Sequence, residues 1–177
     1  MKILKFPISK QTFDYDCGAK AMQSILTYYG IDLLEIEIIK IAKSNSDGTP
    51  IHGMIKVAKH FGFNAKAEKI TIDKLKKYIN RKIPVILLIQ AWAKRKIKNW
   101  KNDWKDGHYV VAIGYDKKRI YFEDPYAVLR TYLTYSELEE RWHDIDSSTG
   151  KKYEHSGIIL LSDKKGSYNP DKIIHMG

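Results

Sequence analysis

Cysteine is nearly absent from this sequence, since Cys17 is the only one among 177 residues. A single thiol cannot form an internal disulfide or a thiolate zinc cluster, which excludes disulfide-rich secreted scaffolds and Cys-rich metal folds. The sequence also lacks a phosphate-binding loop of the GxxxxGK type, so it carries no sign of a nucleotide site of that kind. Cys17 is therefore either a small buried hydrophobe or a nucleophile.

Long apolar runs are missing as well. The longest, Pro84 to Ala93, has about ten residues and contains Gln90, whereas a helix needs about 20 apolar residues to cross a bilayer. The amino terminus carries charges and Pro7 where a signal peptide has a continuous apolar segment. We therefore predict no membrane span and expect a cytoplasmic protein.

Acidic residues are outnumbered by basic ones, 21 against 31, which gives a formal net charge of +10. Such an excess permits contact with nucleic acids or anionic membranes. Most of it is lysine at helical spacing, which is typical of a solvated helix face, so nucleic-acid binding is the less favoured interpretation. Hydrophobic residues make up 44% of the sequence, enough for the packed core of one domain.

Periodicity divides the chain into a helical part and a sheet part. Apolar residues at spacings of three and four predict helices over about Cys17–Tyr29, Asp32–Lys43, His52–Phe61 and Ile72–Asn80. From Pro84 onward, period-two or continuous apolar runs predict strands in PVILLIQAW, HYVVAIGY, RIYFED and SGIILLS. Thr134 and Glu137, spaced as a capping box, predict a short helix in TYSELEERW.

This order predicts an α+β fold, with amino-terminal helices packed on a carboxy-terminal antiparallel sheet. We expect a single domain over residues 1–177. Its helical part covers about 1–82, its sheet part about 83–162 and a polar tail about 163–177.

Cys17 stands at the predicted first turn of a helix. The unpaired backbone amides and the positive end of the helix dipole there favour the thiolate, which is the nucleophilic form of cysteine. The same amides can hold an oxyanion. The carboxamide of Gln11, six residues upstream, would supply a second donor for an acyl-transfer transition state.

His108 begins the predicted strand in DGHYVVAIGYD, and Asp124 ends the next strand in YFEDP. If the turn between the strands has three residues, Tyr115 opposes Arg119. Asp124 then opposes Val110, which makes it a diagonal neighbour of His108 on the same face, within side-chain reach. A two-residue turn would send Asp124 to the other face, so a contact with His108 requires the odd turn or a β-bulge.

Each of these residues has an ordinary structural explanation when taken alone. A cysteine near a helix start is commonly a buried small hydrophobe, and an aspartate before proline is commonly a turn former. The combination of Gln11, Cys17, His108 and Asp124 favours nucleophilic catalysis instead.

At these residues the sequence resembles the double-glycine leader peptidases that process bacteriocin precursors, a family of papain-like cysteine peptidases. Gln11 carries the resemblance together with DCGAKAMQSILTYYG, GTPIHGMIKVAKHFGF, DGHYVVAIGYD and the following FEDP. The resemblance implies a papain-like fold and hydrolysis of a peptide or protein substrate. It implies an oxyanion donor in Gln11, a nucleophile in Cys17, a general base in His108 and a base orienter in Asp124. We predict no cofactor and no metal site.

The chain departs from the best-known members of that family, which are the amino-terminal domains of ABC transporters. No Gly-Gly pair occurs in the sequence, so we expect any leader peptide to be supplied in trans by another molecule. The same residues would also serve acyl transfer to an amine, as in a transpeptidase or transglutaminase-like enzyme. A non-catalytic peptide-binding module and a basic nucleic-acid-binding module stay open, as does the oligomeric state.

An insertion before His108, AWAKRKIKNWKNDWKDGHY, holds Trp92, Trp100 and Trp104 and six basic residues. It could form a flap or stack on single-stranded nucleic acid. We favour the interpretation that the tryptophans pack against the fold and hold this insertion on the edge of the sheet.

A second group of polar residues, His143, Asp144, Asp146 and His155, has a spacing that could hold a metal. We favour the interpretation that RWHDID closes the short helix and packs through Trp142.

Overall fold

The structure, a computed structural model, describes residues 1–146 and 148–176. The described residues form five α-helices: α1 (Cys17–Tyr28), α2 (Glu35–Ala42), α3 (Ile51–His60), α4 (Ile72–Asn80) and α5 (Tyr135–Arg141). They also form nine strands: β1 (Lys2–Ile3), β2 (Asn64–Lys69), β3 (Val85–Gln90), β4 (Gly107–Tyr115), β5 (Arg119–Glu123), β6 (Thr131–Thr134), β7 (His143–Asp146), β8 (Lys151–Glu154) and β9 (Ser156–Leu161). None of these helices has the length and apolar character needed to span a bilayer.

Seven of the strands form one antiparallel sheet in the order β2-β9-β3-β4-β5-β6, with β1 paired to β4. The remaining strands, β7 and β8, form a separate antiparallel hairpin. Every residue of β3 is buried, because helices and the hairpin cover the centre of the sheet. The predicted α+β class with an antiparallel sheet is confirmed.

The helix ends follow the local signals in the sequence. The α4 helix has its predicted bounds, and Thr71 caps it by accepting a hydrogen bond from the Lys74 amide at 3.2 Å. Gly30 and Gly62 lie just beyond α1 and α3 with φ of +81° and +82°, a left-handed conformation that glycine adopts without steric cost. The other predicted helices are also present, and their ends differ from the predicted ends by up to three residues.

Several strands differ from the sequence prediction, and β1, β6 and β8 were not predicted. Strand β2 lies in the part predicted to be helical, and it forms because Asn64–Lys69 pairs with β9 along its whole length. The His143–Asp146 segment, predicted only to close a helix, is strand β7. Trp142 is nevertheless fully buried and donates from Nε1 to the Ser156 carbonyl at 2.9 Å, which confirms its predicted packing role.

The turn between β4 and β5 also differs from the prediction. Tyr115 opposes Ile120 rather than Arg119, so the prediction of a three-residue turn is wrong. A bulge between Ala112 and Gly114 then shifts the register, and Val111 opposes Glu123 beyond it. The predicted alternative of a bulge therefore applies, and it brings the end of β5 beside His108.

Candidate active site

The centre of the site is a contact between His108 and Asp124. His108 is the second residue of β4, and Asp124 directly follows β5. The His108 Nε2 atom lies 2.7 Å from Asp124 Oδ1, and both side chains are buried. A carboxylate at this distance fixes the tautomer of the ring and stabilises its protonated form.

Asp124 is held from several sides. Its Oδ1 also accepts from the Tyr126 amide at 2.9 Å, while Oδ2 accepts from Trp92 Nε1 at 3.1 Å and from Thr131 Oγ1 at 3.2 Å. Burial raises the pKa of Asp124, but the hydrogen bond and charge of His108, together with these donors, hold that pKa below its usual value. Asp124 is therefore an ionised, fixed acceptor at neutral pH.

Cys17 is the first residue of α1 and is half-buried. Burial lowers the pKa of His108, but the hydrogen bonds from its ring to Asp124 and Cys17, with their charges, outweigh burial and raise that pKa to about 9. Because Asp124 engages Nε2, Nδ1 is the ring nitrogen left for an interaction with Cys17. The structure thus brings the three predicted residues together around one imidazole ring.

Gly18 lets the first turn of α1 approach the sheet closely. A Cβ at this position would stand 2.7 Å from Thr49 Cβ and 2.9 Å from the Tyr109 ring. Both distances are too short for real carbon atoms, so a larger residue would push the Cys17 turn away from β4. Glycine here therefore positions the thiol.

Gln11 lies on the segment that enters α1. Its amide donates to the Pro125 carbonyl at 2.8 Å, which ties the segment to the loop after Asp124. Its side-chain Nε2 donates to the Phe13 carbonyl at 2.7 Å. In this structure the carboxamide N–H group is thus engaged by backbone, and its predicted oxyanion role stays a proposal.

A buried charged group that the sequence analysis missed supports this segment. Asp16 accepts from the Phe13 amide at 2.9 Å, and Lys20 Nζ lies 2.8 Å from Glu35 Oε2. Burial raises the pKa of Asp16, and the nearby Glu35 carboxylate adds to the rise. Asp16 is the N-cap residue of α1, and Glu35 is the first residue of α2, so the pair joins two helices and no local spacing in the sequence indicates it.

Replacing Lys20 with Met should lower the free energy of unfolding by about 3–5 kcal/mol, because it leaves the buried Glu35 carboxylate without its cation. Urea unfolding monitored by circular dichroism measures the change. The matched control is Lys40→Met, at an exposed lysine of α2. Equal unfolding midpoints for the two variants would contradict a structural role for the buried pair.

A cavity of about 270 Å³ opens beside Cys17. Its walls come from the loop at residues 46–49, from β4 and from β7. The lining includes the carboxylates of Asp14, Asp47, Asp144 and Asp146. Burial raises the pKa of Asp144 to about 6. Cys17 is therefore accessible from a cleft that is large enough to hold part of a peptide.

The tryptophan-containing insertion forms an excursion between β3 and β4, closed by the Ala91 amide donating to the Asp106 carbonyl at 2.9 Å. The Arg141 guanidinium lies 4.1 Å from the centre of the Trp100 ring, and Trp104 packs against His143 with ring centres 4.4 Å apart. These contacts support the interpretation that tryptophans pin the excursion to the fold. Trp92 differs, because it contacts Asp124.

The histidines considered for a metal site are engaged elsewhere. His143 Nε2 lies 2.7 Å from the Asp103 carbonyl, and the His155 ring stacks on Trp142 at 5.4 Å. Across residues 1–146 and 148–176, no group of three or more His, Cys, Asp or Glu side chains is arranged to hold a metal ion.

Comparison with known proteins identifies the family. The model of the peptidase C39 family matches residues 5–146. The chain belongs to the peptidase C39 family. This confirms the family predicted from the motifs and its class, a cysteine-type peptidase. The C39 match covers Gln11, Cys17 and the segments carrying His108 and Asp124.

Two curated relatives are transport and processing proteins. The chain is 28% identical over 136 residues to the pediocin PA-1 transport/processing ATP-binding protein PedD of Pediococcus acidilactici, covering 76% of this chain and 17% of the relative. It is 27% identical over 173 residues to the transport/processing ATP-binding protein ComA of Streptococcus pneumoniae, covering 97% of this chain and 21% of the relative. The chain therefore spans about a fifth of the length of each.

Solved structures share the fold. A C39-like peptidase from Bacillus anthracis superposes with a TM-score of 0.70 at 17% identity, covering 93% of this chain and 98% of that one. The peptidase domain of Streptococcus ComA gives a TM-score of 0.65 at 23% identity, covering 86% and 96%. A double glycine motif protease from an AMS/PCAT transporter, solved with its leader peptide, gives 0.66 at 21%, covering 90% and 93%.

Proposed function

We propose that this C39 peptidase hydrolyses a peptide bond in a leader-type peptide supplied in trans, using Cys17, His108 and Asp124. The observation that carries the proposal is the buried His108 ring, which bonds through Nε2 to Asp124 and whose pKa is raised by both Asp124 and Cys17. The choice of substrate class is supported by the family and by the solved double glycine motif protease that holds a leader peptide.

In the proposed mechanism Cys17 attacks as the thiolate while His108 is protonated. The sulfur forms a bond to the scissile carbonyl carbon, and the carbonyl electrons move onto oxygen to give a tetrahedral oxyanion. Backbone amides at the start of α1 would donate to that oxygen. The pKa of about 9 for His108 favours its protonated form at neutral pH.

The oxyanion then collapses and the carbon–nitrogen bond breaks. His108 donates its proton to the departing amine, which leaves a thioester on Cys17 and a neutral imidazole. The neutral ring next takes a proton from water as the water attacks the thioester. Collapse of the second oxyanion releases the carboxylic product and restores the thiolate–imidazolium pair. Asp124 keeps the ring oriented throughout and does not need to change protonation.

Gln11 is proposed to donate to the oxyanion through its carboxamide. This requires Nε2 to exchange its bond with the Phe13 carbonyl for one to the substrate oxygen. The two arrangements differ by rotation of one side chain, because the backbone of Gln11 is fixed by Pro125.

Gln11→Ala should lower kcat by about 10²–10³-fold, since loss of one oxyanion donor has an effect of that size. The rate of Cys17 alkylation should stay near the parent value, because alkylation forms no oxyanion. Steady-state rates of peptide cleavage measure the change in kcat. The control is Lys10→Ala, at an exposed neighbouring residue. Unchanged kcat in Gln11→Ala would remove Gln11 from the mechanism.

The proposed function is tested by incubating the protein with a library of synthetic leader peptides that differ at the two residues before the scissile bond. Mass spectrometry of the products gives the cleavage position. Products with a free carboxylate support hydrolysis, whereas adducts of an added primary amine would indicate acyl transfer. Absence of any cleaved or transferred product, from protein whose Cys17 is intact, would contradict a peptidase acting on leader peptides.

A further inference from the structure

Trp92 is a residue whose role the family mechanism leaves unassigned. It is the second residue after β3, and its side chain is 48% exposed. Its indole N–H nevertheless points inward and donates to Asp124 Oδ2 at 3.1 Å. The indole ring packs on Tyr126 with ring centres 4.9 Å apart, and the Tyr126 ring in turn stands edge-on to His108 at 6.5 Å.

The backbone of Trp92 is strained. Its φ is +58°, in the left-handed region that bulky side chains rarely occupy. Such a conformation persists only where surrounding contacts enforce it, and strained residues cluster at functional sites. Here the enforcing contacts are the hydrogen bond to Asp124 and the packing on Tyr126.

Both oxygens of the Asp124 carboxylate have defined donors. Oδ1 faces His108 Nε2 and the Tyr126 amide, whereas Oδ2 accepts from two side chains, those of Trp92 and Thr131. The indole of Trp92 is rigid, while the Thr131 hydroxyl can rotate. Trp92 therefore fixes the rotation of the carboxylate about its Cβ–Cγ bond, and with it the direction in which Oδ1 points.

We propose that Trp92 is a positioning residue for the Asp124–His108 pair. It acts through Asp124, holding the carboxylate so that Oδ1 faces the ring and covering that side of the pair from solvent. The inference rests on the proposed function, because it assigns the role toward the same triad.

The kinetic test replaces Trp92 with Phe, which keeps an aromatic ring for Tyr126 and removes the N–H donor. We expect kcat for peptide cleavage to fall about tenfold, the effect of losing one hydrogen bond to a charged group, with KM unchanged. Trp100→Phe and Trp104→Phe, on the same excursion, are the matched controls and should retain the parent kcat. A rise in KM with kcat unchanged would overturn the proposal and indicate a substrate contact instead.

A second test needs no peptide substrate, so it separates failure of this inference from failure of the proposed function. The alkylation rate of Cys17 by iodoacetamide at pH 6.5 should fall several-fold in Trp92→Phe and stay constant in the two control variants. An equal rate in Trp92→Phe and the parent would overturn the positioning role, even if peptide cleavage were never observed.

A spectroscopic test covers the case in which Trp92→Phe does not fold. In the proton–nitrogen spectrum of the parent, the Trp92 indole resonance is assigned through its contacts with the Tyr126 ring. In Asp124→Asn that resonance should move upfield, because the charged acceptor is lost, while the indole resonances of Trp100 and Trp104 stay in place. A Trp92 resonance that does not move would show that the bond to Asp124 is absent in solution.

Discussion

Replacement of Cys17 by Ala is expected to reduce peptide cleavage by roughly 10⁴-fold or more, the scale seen when a covalent nucleophile is removed. The remaining residues can still bind peptide and donate to an oxyanion, but no thioester can form. Cys17 is half-buried against the core, and alanine removes only its sulfur, so the fold should be retained. The measurement is the initial cleavage rate at pH 7 for the parent and the variant.

Two controls make this result specific. Circular dichroism of Cys17→Ala should match the parent, which shows that lost activity is not lost folding. Because the sequence has one cysteine, a reagent that modifies a thiol of the parent modifies Cys17 and no other cysteine. Cleavage by Cys17→Ala at the parent rate would place the nucleophile elsewhere.

Replacement of Asp124 by Ala is expected to lower kcat by about 10²–10⁴-fold, because His108 contributes about that much as an acid–base group and depends on Asp124 for its orientation. The ring of His108 would lose both its orientation and its preferred tautomer. Activity of the parent should fall as pH rises through about 9, where the His108 imidazolium loses its proton. Because Asp124 raises the pKa of His108, the variant should lose activity at lower pH than the parent.

The raised pKa of His108 also determines how the stability of the fold depends on pH. The pKa of His108 is about 9 in the folded protein against an ordinary value of 6.5. The interaction therefore stabilises the fold fully below pH 6.5, and its contribution disappears as pH rises through about 9. Unfolding measured at pH 6 and pH 9.5 should show a smaller difference between pH values in Asp124→Ala than in the parent.

Asp163→Ala, at an exposed position beyond β9, is the control for both measurements. It should keep the parent rate and the parent pH profile. If Asp124→Ala had the same kcat as the parent and lost activity at the same high pH, Asp124 would be only a turn residue before Pro125.

Local signals in the sequence were sufficient for most of the helices and for the central strands. The α4 helix has a threonine cap and a regular apolar stripe, both of which lie within the segment itself. Strand β3 is a continuous apolar run and is buried on both faces. Strand β2 could not be predicted in this way, because NAKAEK favours a helix and becomes a strand only by pairing with distant β9.

The residues of the candidate site could be predicted from the sequence, whereas their geometry could not. Cys17, His108 and Asp124 followed from motif context and from strand parity. The bulge that makes the parity work lies between Ala112 and Gly114, near the end of β4, and its local signal is Gly114, an isolated glycine inside a strand. The bond between Trp92 and Asp124 joins residues 32 positions apart in the chain, and it arises from a strained conformation that the sequence does not reveal.

The central claim is that Cys17 is a nucleophile at the end of a peptide-binding cleft and that His108 activates it. The most direct measurement uses a leader-type peptide ending in Gly-Gly chloromethyl ketone, with intact-protein mass spectrometry as the readout. We predict stoichiometric labelling of Cys17 at pH 7, protection by excess leader peptide, and labelling at least about tenfold slower in His108→Ala. The account would be contradicted if iodoacetamide modified Cys17 readily while the peptide reagent left it unlabelled, or if His108→Ala reacted as fast as the parent.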